Sequence, residues 1–252
     1  CSVLDGQIRD QFKAPASLLL PESEWLERCP KAKTQLADPA EWGGLANLMW
    51  DRDLTLWLPR SMVFSPHGEE CVGGLFGVEK PKEVEGCPGL MVLRLICNLV
   101  PSNSHFRVVR GDVDELPYIL QWTRIVLLEG EILLVSQEDM SFAFYLFRLP
   151  PVWCPYFAVG QPIRLADLKG NAKARQRSLS LAKGHDCSGL GFLCLQVLPM
   201  AWISAVGIMQ SVHRRLMKEP VPRGAGLPSS SEIRKTMVLP THSKSSTGCD
   251  WK

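Results

Sequence analysis

The sequence lacks any run of about 18 or more consecutive apolar residues, which is the length that a membrane-spanning helix needs. It also lacks a basic start followed by an apolar stretch, so no secretory signal peptide is visible. These two absences favour an intracellular protein of the nucleus or cytoplasm without a membrane partner. The first residue is Cys1 rather than Met, and we therefore expect the chain to be a piece of a longer protein.

Cysteines are not scarce, but their spacing does not match a disulfide framework or a metal-binding motif. The chain has nine, an odd number that cannot pair completely, and no two form a Cys-x-x-Cys motif. Scattered cysteines of this kind are typical of reduced thiols in a reducing compartment. His185 and Cys187 form a His-x-Cys pair without partners at zinc spacing, so the sequence predicts no metal site there.

Composition is that of an ordinary globular chain. The 252 residues are 46% hydrophobic and 21% charged, enough for one large domain or two small ones. Charge is unevenly distributed: residues 1–150 carry a net charge of −7, and residues 151–252 carry +9. The second part is basic enough to attract a polyanion, although a solvated basic surface or tail explains the same excess.

Periodicity and breakers predict an α/β fold. Helices are expected at 38–57, 114–128 and 201–218, and strands at 71–80, 90–100, 131–137 and 191–199. Residues 164–184 read as a loop with one helical turn. Three regions follow: an N-terminal helical segment (1–69), a central α/β region (70–218), and a linker or loop rich in Pro, Gly and Ser (219–252).

Three segments of the central and later part of the chain carry short motifs. We name them the fingers box ("RLICNLVPSN", 94–103), the palm box ("DMSFAFYLF", 139–147) and the Leu-Pro box ("LPMAWIS", 198–204). In this order they resemble the reverse transcriptases of retroelements, RNA-directed DNA polymerases that take deoxynucleoside triphosphates and a template–primer. The resemblance covers roughly residues 70–218 and implies the fingers and an incomplete palm of a right-hand polymerase.

Asp139 is the candidate catalytic residue and metal ligand. The resemblance implies that it binds Mg²⁺ or Mn²⁺, and a carboxylate at a strand end is a hard oxygen ligand suited to either ion. The same residue also suits the N-cap of the helix that follows it. The three boxes together favour the metal ligand.

Further residues would form the nucleotide site if the resemblance holds. Phe144 falls where the family has an aromatic that blocks a ribose 2′-hydroxyl, although a plain core position explains it equally well, as it does for Phe142 and Phe147. The basic residues Lys80 and Arg94 of the expected hairpin would bind phosphates, whereas Lys82 suits a solvated position. The remaining nucleotide-binding candidates are Ala143, Pro199 and Ser204.

Departures from the family pattern limit what the chain is expected to do. Met200 and Ala201 replace the family's Gln and Gly, Asn98 replaces its fingers Asp, and no aromatic-x-Asp-Asp motif follows residue 218. We therefore expect a fragment that ends before the second acidic box and does not polymerise. The alternatives are a non-catalytic nucleic-acid-binding remnant and an unrelated α/β interaction domain.

Overall fold

Apolar and β-branched segments of this chain meet in one mixed sheet, seen in a computed structural model that describes residues 4, 6–109, 113, 116, 118–133 and 143–218. The strands are β1 (Thr55–Pro59), β2 (Val72–Val84), β3 (Cys87–Asn98), β4 (Ala158–Arg164) and β5 (Leu190–Leu195). Their order across the sheet is β1-β5-β4-β2-β3, and only the β2–β4 pair is parallel. The expectation of a mixed α/β fold is confirmed.

The α-helices flank this sheet. They are α1 (Gly6–Lys13), α2 (Glu41–Asp51), α3 (Val100–Asn103), α4 (Ala143–Leu146), α5 (Ala172–Leu181) and α6 (Ala205–Lys218). Short 3-10 helices connect them, among them Pro151–Tyr156 and Ile119–Arg124. Within the described residues, no helix is long and apolar enough to cross a membrane.

The helix expected at 38–57 is shorter than its apolar pattern suggests. Helix α2 begins at Glu41, three residues later than expected, and the Asp38 carboxylate accepts the Ala40 N–H at 2.8 Å in the turn before it. Helix α2 stops at Asp51 because Asp53 takes a left-handed conformation (φ 58°), and the apolar residues beyond it form β1 instead. Leu48 is half exposed, so the predicted inward face is wrong at that position.

The basic segment 164–184 is more regular than predicted. Ten of its residues form α5, which begins where the Asn171 side chain accepts the Ala174 N–H at 2.9 Å. Residues 119–124 of the expected helix 114–128 form only a 3-10 helix, and residues 125–128 are not helical. Of the expected strand 131–137, residues 131–133 are not in a strand, and the rest lies outside the described residues, as does the segment 219–252.

Tryptophans fill the core on both sides of the sheet. Trp50, Trp57, Trp153 and Trp202 are almost completely buried. Two of them have their indole N–H groups satisfied by backbone carbonyls: Trp57 donates to Ile163 at 2.9 Å and Trp153 to Phe12 at 2.7 Å. Such a partner offsets the cost of burying an indole N–H, whereas those of Trp50 and Trp202 are buried without one among the described residues. These bonds therefore tie α1 and β4 to the same core.

The N-terminal strap, residues 18–37, crosses the base of the β2–β3 hairpin. Its first residues run antiparallel to 105–107, where the Leu20 N–H donates to His105 at 2.9 Å and the Arg107 N–H donates to Leu18 at 2.7 Å. Further along, the Gln35 N–H donates to the Leu75 carbonyl at 2.7 Å. The strap therefore holds the start of β2 and the segment after α3 together.

Candidate functional site

The β2–β3 hairpin carries the basic residues of the predicted phosphate site. Val78 of β2 lies opposite Arg94 of β3, and Arg94 is exposed. Val84 pairs with Cys87, so the turn is much tighter than the predicted loop 81–89. Lys80 and Lys82 therefore lie in β2 rather than in a loop, with Lys80 half-buried.

The end of the fingers box contacts the Leu-Pro box directly. The Asn103 side-chain amide donates to the Ala201 carbonyl at 2.9 Å, and its oxygen accepts the Ile203 N–H at 3.1 Å. A side chain with both a donor and an acceptor is needed to bond both sides of one peptide segment in this way. Two motifs far apart in the sequence thus meet through Asn103, which the sequence analysis did not name as a site residue.

Asn98 has a local role at the start of α3. Its side-chain oxygen accepts the Val100 N–H at 3.2 Å, an Asx-type contact at the junction between β3 and α3. An aspartate, which the resembled family has at this position, would make the same contact. The structure thus shows that Asn98 needs no cationic partner to keep its place.

The palm box is described only from residue 143 onward, so Asp139 lies outside the described residues. Ala143 and Phe144 are in α4 and are half-buried, and Phe144 packs against the hydrophobic core. The Tyr145 hydroxyl donates to the Leu95 carbonyl of β3 at 3.1 Å. The helix of the palm box therefore touches the strand that carries Arg94.

The Leu-Pro box is partly enclosed, with Met200 and Ile203 exposed. Pro199 is buried, and Ser204 is fully buried with its hydroxyl accepting the Val109 N–H at 2.9 Å. The Leu198 N–H donates to the Phe147 carbonyl at 2.8 Å, which joins this box to the end of the palm box. The three boxes are therefore in contact, while the assignment of Lys80, Arg94, Ala143, Phe144, Pro199 and Ser204 to nucleotide binding stays a prediction.

Asp53 is the centre of a polar cluster that the sequence did not reveal. Arg148 donates to its carboxylate at 2.6 Å, Arg177 makes a second ion pair, and Gln196 donates at 2.9 Å. Burial alone would raise the pKa of Asp53, but the two arginines and Gln196 outweigh it and lower the pKa below its ordinary value of 3.8. The carboxylate is thereby kept ionised and occupied by protein partners.

The same cluster uses part of the basic excess of residues 151–252. Arg177 of α5 pairs with Asp53, and Arg175 donates to the carbonyls of Leu165 and Leu168 at 3.0 and 2.6 Å. Lys169, Lys173 and Lys183 are exposed. Part of the positive charge on this segment therefore holds the fold together, and the exposed lysines are what it offers to a polyanion.

A second cluster lies beneath the N-terminal strap. Cys29 of the strap, Cys71 just before β2 and His105 just after α3 are all buried, and one ligand atom from each lies within 4.8 Å of the others. The rings of Trp25 and Phe64 pack edge-on against His105, with centroids 5.5 and 5.6 Å from it. No sequence spacing indicates this group, because its members come from three separate segments.

The two sulfur atoms of this cluster influence each other. A hydrogen bond from Cys71 lowers the pKa of the Cys29 thiol, against the opposing effects of burial and of the nearby Glu69 carboxylate. That same hydrogen bond, with burial, raises the pKa of the Cys71 thiol.

Comparison with known proteins leaves the family open: no family model matches the chain, and no curated protein matches it significantly.

Proposed function

We propose that this chain is the fingers and part of the palm of a retroelement reverse-transcriptase-like polymerase, and that it binds a primer–template through the β2–β3 hairpin. The full-length form would carry out template-directed, metal-dependent synthesis of DNA from deoxynucleoside triphosphates. The proposal depends on the resemblance of the three boxes, and their mutual contacts support it.

The observation that carries most weight is the double hydrogen bond of Asn103. Catalytic motifs that are distant in sequence have to meet in space if they serve one site. Asn103 at the end of the fingers box holds Ala201 and Ile203 of the Leu-Pro box, and Tyr145 of the palm box holds Leu95. These contacts meet a requirement of one shared site, and in that way they support the proposal.

The hairpin provides a surface suited to a phosphate backbone. Lys82 and Arg94 are exposed on neighbouring strands, and Lys80, which is half-buried, lies between the Val78–Arg94 pair and Lys82 along the hairpin. Lysine and arginine contacts to phosphates supply affinity without reading sequence. A hairpin of this kind would hold either the template strand or the triphosphate of an incoming nucleotide.

Neither Asp53 nor Asp186 fits a two-cation site. Asp53 is held by Arg148 and Arg177, and Asp186 is exposed and accepts the Ser188 N–H at 2.8 Å. The sequence adds Asp139 as a candidate ligand but has no aromatic-x-Asp-Asp motif. We therefore propose that this chain binds one Mg²⁺ or Mn²⁺ weakly and does not extend primers.

The first test measures binding of a fluorescently labelled RNA–DNA primer–template by anisotropy at several salt concentrations. We expect the logarithm of affinity to fall with the logarithm of salt by roughly 0.7–0.9 for each phosphate contact. An affinity that does not change with salt would contradict the proposal and favour the unrelated interaction domain.

The second test separates a polymerase fragment from a non-catalytic binding remnant. Mn²⁺ binding is followed by electron paramagnetic resonance in the wild type, in Asp139→Asn and in the control Asp186→Asn, whose carboxylate is exposed. We expect loss of the site only in Asp139→Asn. Salt-dependent nucleic-acid binding without an Asp139-dependent Mn²⁺ site would leave the binding remnant as the better description.

Primer extension by the purified chain with Mg²⁺ or Mn²⁺ and deoxynucleotides completes the test, and we expect no product. Extension that Asp139→Asn abolishes would show that another carboxylate, Asp186 or Asp250, completes the catalytic site. That result would overturn the proposed inactivity while keeping the proposed family.

A further inference from the structure

We propose that Cys29, Cys71 and His105 bind a structural zinc ion, with Glu69 as the fourth ligand. Nothing in the polymerase proposal requires this site, and it stands on separate residues. Zinc in structural sites is held tetrahedrally by thiolates and imidazole nitrogens, at about 2.3 Å from sulfur and about 2.0–2.1 Å from nitrogen. Ligand atoms within 4.8 Å of one another need only a small contraction to reach that geometry.

His105 is prepared to act as a ligand through one particular nitrogen. Its Nδ1 lies 2.8 Å from the Pro101 carbonyl oxygen, which can only accept, so Nδ1 carries the proton. The other nitrogen, Nε2, is then left with a lone pair, and it is fully buried without a hydrogen-bond partner. Zinc-bound histidines commonly have this arrangement, in which the non-ligating N–H donates to a carbonyl and fixes the ring.

Ser104 reinforces the same protonation state. Its hydroxyl proton points to the Pro101 carbonyl at 2.8 Å, and its oxygen lies 3.1 Å from His105 Nδ1, where it accepts a share of the N–H. Both neighbours of Nδ1 are therefore acceptors. A buried Nε2 with no partner is costly for a protein, and a bound cation removes that cost.

Apart from the hydrogen bond between the two thiols themselves, which a metal ion would replace, their partners are weak. The Cys29 sulfur lies 3.7 Å from the Pro30 carbonyl, and the Cys71 sulfur lies 3.9 Å from the Ser102 hydroxyl. Such contacts are weak, because a thiol is a poor donor. Two thiolates and a neutral imidazole exactly offset the charge of Zn²⁺, so the three ligands make a neutral unit that suits their full burial.

Glu69 is the residue we propose as the fourth ligand. Its carboxylate is not among the atoms that lie within 4.8 Å of one another, so its side chain would have to turn toward the cluster to reach the ion. Its Oε2 is buried without a hydrogen-bond partner, although the residue as a whole is half-buried. Binding a cation would give that acceptor the partner it lacks.

The proposed ion would join three segments that backbone hydrogen bonds of the strap already connect. Cys29 belongs to the N-terminal strap, Cys71 to the start of β2 and His105 to the segment after α3. Because metal-binding free energy in a site that forms only on folding is folding free energy, the ion would stabilise the base of the hairpin. Binding would release one proton from each of the two thiols.

The test measures the metal content of the full chain purified from zinc-supplemented cells without chelators. We expect about one zinc ion per chain, as for other structural sites of this ligand type. Replacement with Co²⁺ should give the intense visible bands of tetrahedral cobalt and a thiolate-to-cobalt charge-transfer band in the near ultraviolet. These spectra come from the wild type, so they do not depend on whether a variant folds.

Variants then assign the ligands. Cys71→Ser and His105→Ala should each lower zinc affinity by more than the roughly 10–100-fold that loss of an outer-shell partner causes. Glu69→Gln should weaken binding less and shift the cobalt spectrum. Cys97→Ala is the matched control, because Cys97 is also a buried thiol but lies outside the cluster, and it should retain one zinc.

Three results would overturn the proposal. One is a wild-type chain that holds no zinc above background and gives octahedral cobalt spectra. Another is zinc retention that Cys71→Ser and His105→Ala leave unchanged, which would place the ion elsewhere, for example at His185 and Cys187. The third is a Cys29–Cys71 disulfide in the freshly purified chain, detected by mass spectrometry, because the thiolates would then be unavailable. None of these results bears on nucleic-acid binding, so the two proposals fail independently.

Discussion

The base and the tip of the β2–β3 hairpin belong to the same two strands but differ in how deeply their side chains are buried. At the base, Leu75 is completely buried and the strap lies across β2, whereas nearer the tip Val78 and Leu93 are 45% and 65% exposed. A long hairpin with one end in the core and the other in solvent is anchored at one end only. We infer that the base fixes the direction of the hairpin and the tip is available to a ligand.

The difference follows from what packs against each half. The base contacts the core, the strap and, if the zinc proposal is right, a metal ion. Beyond residue 76, and within the part of the chain that the structure describes, the two strands have backbone pairing only with each other, and the Tyr145 hydroxyl donates to Leu95. Stability of a two-stranded ribbon in water is marginal without such support. Substitutions should therefore act on folding at the base and on binding at the tip.

The largest expected effect comes from truncating a leucine at the base. Leu75→Ala leaves a cavity beneath the sheet and should lower the free energy of unfolding by about 2–5 kcal/mol. Leu93→Ala is the matched control on the partner strand, and its effect should stay within about 0.5 kcal/mol because the side chain is mostly exposed. Urea denaturation measures both. Equal losses for the two variants would contradict the division between base and tip.

A smaller effect is expected from adding a methyl group at the base. A Cβ on Gly74 would collide with backbone atoms of Lys33 and Ala32 in the strap, which cannot move aside as a side chain can. Gly74→Ala should therefore cost about 1–3 kcal/mol through overpacking.

Gly77 provides the control for that experiment. A Cβ on Gly77 meets only the side chain of Leu93, at 3.3 Å, and that side chain is free to shift. Gly77→Ala should be neutral or slightly stabilising, since alanine restricts the unfolded chain more than glycine does. A larger loss for Gly77→Ala than for Gly74→Ala, measured by urea denaturation, would show that the strap does not press on the base.

The body of the sheet has its own electrostatic anchor, and pH tests it. The pKa of Asp53 is lower in the folded chain than its ordinary value, so Asp53 stabilises the fold above pH 3.8, and this contribution is lost as the pH falls through the lower folded pKa. Asp53→Asn keeps a residue that tolerates the left-handed backbone, and it should cost about 1–2 kcal/mol at neutral pH.

The expected signature is convergence with wild type in acid. Thermal unfolding followed from pH 7 downward should show a difference between wild type and Asp53→Asn that shrinks below about pH 4. Asp10→Asn is the control, because Asp10 pairs only with Arg9 at an exposed site, where ion pairs contribute little. If the difference in thermal stability between wild type and Asp53→Asn does not change in acid, the negative charge of Asp53 is not what stabilises the fold.

Sequence patterns predicted the strands that are rich in apolar and β-branched residues. The hairpin and β5 were expected for this reason. Strand β4 was missed because it contains Gly160 and Pro162, which usually mark a turn, and the structure accommodates them where the pairing with β5 shifts between Val159 and Ile163. Strand β1 was assigned to the preceding helix because only the left-handed Asp53, invisible to periodicity, separates the two.

The sequence predicted the candidate sites to different extents. The boxes could be recognised because their residues are contiguous. Asn103 joins two of them in the structure, but in the sequence it was only the last residue of the fingers box. The cluster of Cys29, Cys71 and His105 has no local spacing at all, since its members meet only after the strap folds over the hairpin. Only the unpaired Nε2 and Oε2 atoms of His105 and Glu69 draw attention to it.

The smallest change in stability, and the most specific change in binding, is expected at the tip. Arg94 is exposed on β3, opposite Val78, so Arg94→Ala should alter the free energy of unfolding by no more than about 0.5 kcal/mol. If Arg94 contacts a phosphate, its loss should weaken primer–template binding for every sequence alike and reduce the salt slope by roughly 0.7–0.9. Lys13→Ala, which removes an exposed lysine from α1, is the control for loss of charge alone.

Anisotropy titrations at matched salt concentrations compare wild type, Arg94→Ala and Lys13→Ala. An equal loss of affinity in Lys13→Ala and Arg94→Ala would mean that the net charge of the chain attracts nucleic acid. The hairpin tip would then not be the binding surface.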